Sequence, residues 1–122
     1  MATVKTNKIS ISSELNSSNG YVKFPDGTLI AWVNYAFTGQ NVTGSSGSLY
    51  YSNNQLTLPD WPTAFYSAPT VFTSISGGFD LFPGRVTGTS ATTAGKLYVY
   101  SAASLSNKDF TVNAVGIGRW KA

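Results

Sequence analysis

The segment Asn19-Gly20-Tyr21-Val22-Lys23-Phe24-Pro25-Asp26-Gly27-Thr28-Leu29-Ile30-Ala31-Trp32 constrains the fold of this chain more than any other. Pro25-Asp26-Gly27 is a turn with a mechanism. Pro presets φ at the first corner, Asp bonds its own backbone, and Gly takes the left-handed position. Tyr21 to Phe24 is short and alternating, as a half-buried strand should be. Thr28 to Phe37 is rich in β-branched and aromatic strand formers. Asn19-Gly20, both tolerant of positive φ, predicts a chain reversal ahead of the first strand. Strand, tight turn, strand is what this local chemistry dictates.

The rest of the chain reads the same way. Gly39 to Ser48 is a Gly/Ser/Thr/Asn run with Val42 as its one aliphatic residue, and predicts a loop. Ser52 to Gln55 predicts a turn, and Leu56-Thr57-Leu58 a short strand stopped by Pro59-Asp60-Trp61-Pro62. The two prolines force an extended, non-helical course around Trp61. Pro69 to Ile75 predicts a strand with Val71, Thr73 and Ile75 on one face and Phe72 and Ser74 on the other. Gly77-Gly78 and Pro83-Gly84 bracket Phe79-Asp80-Leu81-Phe82 as an aromatic loop. Arg85 to Thr89, Lys96 to Ser101 and Asp109 to Trp120 supply further strands, the last with a change of phase that predicts a bulge at Ala114 to Gly116. No window has helical amphipathicity; Ala102 to Leu105 allows one turn at most. Short strands separated by frequent turns argue an all-β fold, an antiparallel β-sandwich or flattened barrel. Residues 1–18 read as an N-terminal strand or arm (Ala2 to Ile11) with a Ser12-to-Ser18 linker, and residues 19–122 as the β domain.

Composition narrows the chemistry. Charged residues are 11% of the chain, against about 25% in ordinary soluble domains, and Ser, Thr, Asn and Gly fill the difference. The eight basic and five acidic residues give +3, with the cations spread along the chain, so no footprint for a nucleic-acid backbone emerges. Cysteine and histidine are both absent. That removes disulfides, thiolate chemistry, the commonest metal ligand and every Ser-His arrangement. No metal or cofactor is expected, nor is membrane insertion. The lack of a secretion-type N-terminus leads to the expectation of synthesis in a host cytoplasm and release by lysis.

The opening segment also resembles a family signature. "NGYVKFPDGTLIAW" is similar to the opening hairpin of C-terminal, receptor-binding domains of bacteriophage tail fibres and baseplates, where the pattern runs N-G-Y/W-x-K-F/L-P-D/N-G-x-I-I-Q-W-G. Members close on an apolar strand ending G-R-W-K, matched here by Gly118-Arg119-Trp120-Lys121, and Phe65 to Val71 fits their F-x-x-x-P-x-V strand entry. The resemblance spans roughly residues 19–121; Ala31 and Val33 depart from its usual Gln and Gly. It implies a virion-tail location, association with other phage tail or baseplate proteins, and a homotrimer around a three-fold axis. Trimerisation makes physical sense, because a small, low-charge, aromatic-rich domain gains by burying a shared apolar face. Three copies also convert weak sugar binding into avidity.

The expected function is recognition of a host cell-surface saccharide without chemistry. The alternatives are a structural trimerising cap and, further off, a cell-wall glycan hydrolase using Asp60 and Asp80. The residues proposed to hold a saccharide are Trp61 beside Asp60, Asp80 with Arg85, Tyr66, and Tyr51 with Asn53. A rigid indole face next to a carboxylate suits pyranose stacking, although Trp61 serves equally as a plug for the end of the sandwich. Asp80 alternatively pairs with Arg85 or caps a turn. Tyr98 and Tyr100 alternate with Leu97 and Val99, which places both tyrosines on the outer face of one strand, as a binding platform or a protomer contact. Trp32 and Trp120 read as core or inter-subunit residues.

Overall fold

A computed structural model describes residues 12–15, 19–77 and 80–122. The arm expected over Ala2 to Ile11 lies outside these residues. The described chain is all strand and turn: β1 (Ser12–Leu15), β2 (Asn19–Lys23), β3 (Thr28–Ser46), β4 (Leu49–Ser52), β5 (Leu56–Thr57), β6 (Thr70–Ser76), β7 (Leu81–Pro83), β8 (Lys96–Leu97), β9 (Val99–Ser101) and β10 (Leu105–Arg119). All pairings are antiparallel. Eight strands form one sheet that curls almost into a barrel, and β5 with β8 makes a small second sheet.

The long strand β3 organises everything. One edge carries β10 in register from Thr28↔Arg119 to Phe37↔Phe110, then on to Leu105 through two register shifts. The other edge carries β2 along its first third and β4 along its last. β6 continues the sheet beyond β10, while β9 and β7 continue it beyond β4. Alternate residues point inward. Leu29, Ala31 and Val33 of β3 and Phe110, Val112 and Ala114 of β10 are buried. They meet Leu56, Leu58, Trp61, Phe65, Ala94 and Leu97 from the segments that cover the concave side. Those covering segments are tied by backbone bonds, Leu58 N–H to Gly95 O, Trp61 N–H to Thr92 O and Phe65 N–H to Ala91 O.

Several local expectations are corrected. Asn19-Gly20 is not a reversal but lies within β2, where Gly20 pairs with both Leu15 and Trp32. The expected linker from Ser12 begins instead as edge strand β1. The Gly39-to-Ser48 run is mostly strand. Gly39 takes φ 62° beside the β10 register shifts, and side chains replace the missing apolar face: Asn41 Oδ1 accepts the Asn107 N–H (2.9 Å) and Asn53 Oδ1 accepts from the Thr43 hydroxyl (2.8 Å). The hairpin turn is confined to Gly47-Ser48. Leu81 to Pro83 forms the edge strand β7, a position that tolerates proline. Arg85 to Thr89, expected as strand, is loop apart from a bridge at Thr87↔Lys96. The bulge expected at Ala114 to Gly116 is absent: the register there is continuous, and Val115 and Ile117 are apolar because the outer face is apolar too.

Trp61 is 6% exposed. Its ring lies edge-on to Phe65 (centroids 5.4 Å apart) and occupies the space over Gly116, where a Cβ would stand 2.9 Å from two indole carbons. The indole N–H has no hydrogen-bond partner among the described residues. An unsatisfied buried donor costs about 1–3 kcal/mol; burying a large apolar ring outweighs that, since removing such a ring typically costs about 3–5 kcal/mol. Gly116→Ala should therefore destabilise the fold by about 1–3 kcal/mol through overpacking against Trp61. Urea unfolding followed by tryptophan fluorescence checks this; an unchanged midpoint would contradict the contact.

Candidate functional site

Rows across the outer face of the sheet show which side chains share a surface. In β4, β9 and β7 the directly opposed residues are Tyr51, Tyr100 and Phe82. Their neighbours behind the row, Tyr50, Ser101 and Leu81, turn toward the core. Phe82 and Tyr100 stack with centroids 6.1 Å apart and planes 19° from parallel. Tyr51 contacts Tyr100 at 6.4 Å and meets Tyr98 edge-on at 5.6 Å. The four rings form a continuous aromatic ladder.

Two glycines seat it. A Cβ on Gly44 would stand 2.7 Å from Tyr51 Cζ, and one on Gly84 would stand 2.5 Å from Tyr100 Cε2. The rings thus lie down on bare backbone instead of standing out into water, an arrangement in which an aromatic residue covers a cross-strand glycine. Underneath, the Ser52 hydroxyl accepts the Val99 N–H (3.2 Å) in a buried position and ties β4 to the start of β9. The result is a preformed surface with π faces, phenol hydroxyls and Phe82 44% exposed. Such a surface suits stacking of a flat apolar face with hydroxyl contacts around its rim.

The residues proposed from sequence distribute unevenly over this surface. Tyr51 is a rung of the ladder. Asn53 stands at the end of β4, but its Oδ1 is engaged with the Thr43 hydroxyl and N–H, so it braces the turn. Asp80 and Arg85 are exposed at opposite ends of β7, one residue before it and two after. The expected Trp61 stacking face is not available, because the indole is in the core. Asp60 is exposed and holds a bridge with Thr93 on the covering layer. Tyr66 is 63% exposed, far along the same segment, with its N–H bonded to Arg119 O. Sequence reading thus proposed one rung; it placed Tyr98 and Tyr100 outward but had no means of joining them to Tyr51 or of finding Phe82. The only sequence signal was alternation within single strands, and the ladder exists between strands.

The other half of the outer face differs in chemistry. Rows Gly20–Trp32–Val115–Phe72 and Val22–Ile30–Ile117 cross β2, β3, β10 and β6. Phe72 is 60% exposed and Ile117 42%, with Trp32, Ile30, Val22 and Val115 half-buried beside them. Next to this apolar stripe runs a polar row in which Asn113 donates to Ser74 (3.3 Å) and Ser76 (3.0 Å).

At the corner where the β2–β3 turn meets the end of β10, cations that are scattered in sequence converge. Lys23 Nζ lies 5.5 Å from the Trp120 ring centre and Lys121 Nζ 5.0 Å. The Trp120 indole N–H donates to Phe24 O (2.8 Å), and Arg119 donates to Asp26 O (2.8 Å) and Lys121 O (3.2 Å). Gly27 has φ 101° and leaves room for the Arg119 guanidinium. Asp26 Oδ1 accepts the Thr28 N–H (2.8 Å). That bond, seconded by the Thr28 hydroxyl and the charges of Arg119 and Lys121, holds the carboxyl below its ordinary 3.8. Among the described residues no cluster of three or more metal-ligating His, Cys, Asp or Glu occurs.

Compared with known proteins, the fold is similar to a solved N-truncated R1-type pyocin tail fibre, with a TM-score of 0.63 and 17% identity, over 94% of this chain and 93% of that chain. The sequence matches no protein-family model and no curated protein. The all-β architecture is therefore a tail-fibre-like one.

Because the folded pKa of Asp26 lies below its unfolded value, its contribution is present above about pH 4 and is lost as pH falls through the folded pKa. Thermal unfolding between about pH 5 and 2 should show a steeper loss of Tm for the native chain than for Asp26→Ala. Parallel curves would contradict the turn chemistry.

Proposed function

We propose that this chain is a receptor-binding module of a phage tail or phage-tail-like particle, and that it recognises a host cell-surface saccharide on the Tyr51–Tyr98–Tyr100–Phe82 ladder without chemistry. The observation that carries this reading is the seating of Tyr51 and Tyr100 on Gly44 and Gly84. Rings held flat before any ligand arrives lose little conformational freedom on binding. The likeness to a pyocin tail fibre supports the setting, a virion or particle tail with other tail proteins as neighbours. Tyr100→Ser with Phe82→Ser should reduce binding to host envelope polysaccharide at least tenfold, roughly the loss of two stacking contacts. The β-type circular dichroism and unfolding midpoint should stay near those of the native chain. Undiminished binding by the folded double variant would remove the ladder from the reading.

A second role is favoured by a separate observation, the outer-face apolar stripe in which exposed Phe72 and Ile117 adjoin half-buried Trp32 and Val115. An apolar patch of this kind on a low-charge domain marks a contact surface. The chain assembles through it as a homotrimer, which supplies a structural cap for a fibre as well as avidity for the ladder. Light scattering should give three times the 13.0 kDa chain mass. Phe72→Lys should give folded monomer; a native chain that is itself monomeric would end this reading.

A further inference from the structure

The curling sheet does not close. β6 pairs with β10 on one edge, β7 pairs with β9 on one edge, and among the described residues no ladder joins β6 to β7. A groove of about 410 Å³ occupies this seam. Pro69 with Val71 and Thr73 of β6 forms one wall, and Gly84, Arg85, Val86 and Thr89, which follow β7, form the other. Pro69, Val71 and Val86 are its apolar members and Thr73, Thr89 and Arg85 its polar ones; the Thr89 hydroxyl donates to Ala94 O (2.8 Å).

Arg85 differs from Arg119 in how it is used. Arg119 donates to two backbone carbonyls, whereas among the described residues Arg85 has no hydrogen bond or ion pair. Asp80 stands at the far end of β7 and does not line the groove. Among the described residues this exposed five-donor cation at a concave rim thus has no ion-pair partner. The seam is continuous with the ladder: Gly84 lies beneath the Tyr100 ring, gives its N–H to Tyr98 O (2.8 Å), and also lines the groove. Gly84, which underlies the Tyr100 ring, is followed directly in the chain by Arg85.

We infer that the β6–β7 seam is an acid-reading subsite, and that the saccharide bound on the ladder carries a carboxylate or phosphate held by Arg85 with the Thr73 hydroxyl beside it. This rests on the saccharide-binding reading. A planar guanidinium matches either group in bidentate fashion. In a chain with so few charges, one such contact sets specificity, since an unpaired cation gains from an acidic ligand and gains nothing from its neutral isostere.

The test uses an array of bacterial surface saccharides printed in matched pairs: uronic-acid polymers with their carboxyl-reduced forms, and phosphorylated polymers with their dephosphorylated forms. The native chain should favour the acidic member of a pair by about tenfold, the worth of one charge-assisted contact. The pair that shows the preference tells carboxylate from phosphate. Arg85→Gln should abolish the preference, while Lys121→Gln, which removes the same net charge elsewhere, should retain it. Equal binding of both members by the native chain, or a preference that survives Arg85→Gln, overturns the subsite while leaving the ladder standing. No binding to any member overturns both.

Discussion

The antiparallel pairing of β3 with β10 joins opposite ends of the chain, and every other element takes its position from that ladder. Its inward residues Leu29, Ala31, Val33, Phe110, Val112 and Ala114 make the floor of the core. Its two free flanks accept β6 on one side and β2 and β4 on the other. Because β3 is long enough to serve two different neighbours along one edge, it divides the outer surface into two regions. The β2–β3–β10–β6 half carries the aliphatic and indole stripe; the β4–β9–β7 half carries the phenyl and phenol ladder. Loss of the central pairing would leave neither surface defined.

Glycine works here as a receptor for rings. Gly116 admits Trp61 from the concave side, while Gly44 and Gly84 admit Tyr51 and Tyr100 on the convex side. In each case a missing Cβ lets an aromatic face approach the backbone, which lowers the ring and limits its rotamers. The core and the candidate binding surface thus use one packing device on opposite faces of the sheet. Its consequences differ with the face. Inside, the ring is covered and stabilises the fold; outside, it is fixed yet half open to solvent.

Strand content, the β2–turn–β3 hairpin and the inward phase of β6 were legible because they rest on local chemistry: turn residues at set offsets and period-two alternation. What failed needed partners distant in sequence. The Gly39-to-Ser48 run resembles a loop since only Val42 faces the core, yet Asn41, Thr43, Asn53 and Asn107 hold it extended through side-chain bonds no periodicity registers. Trp61 between two prolines reads equally as a rigid surface ring or as a plug, and its contact with the distant Gly116 decides for burial. Lys23 is far in sequence from Arg119 and Lys121, and they converge only because the end of β10 returns to the first turn. The ladder shares this character, because each rung lies on a different strand.

Separation of the two outer regions assigns the proposed assembly and the proposed recognition to different strands. A partner copy on Trp32, Val115 and Phe72 would lie over strands β3, β10 and β6. The ladder lies on β4, β9 and β7, beyond the point where β3 exchanges β2 for β4 along its edge. Charge distribution follows the same division: Lys23, Arg119 and Lys121 are committed to rings and carbonyls at the hairpin corner, whereas Arg85 stands free among the described residues at the ladder's edge. Arg85 thus follows directly on the glycine that seats Tyr100, where a charge-assisted contact would add to stacking in the proposed site.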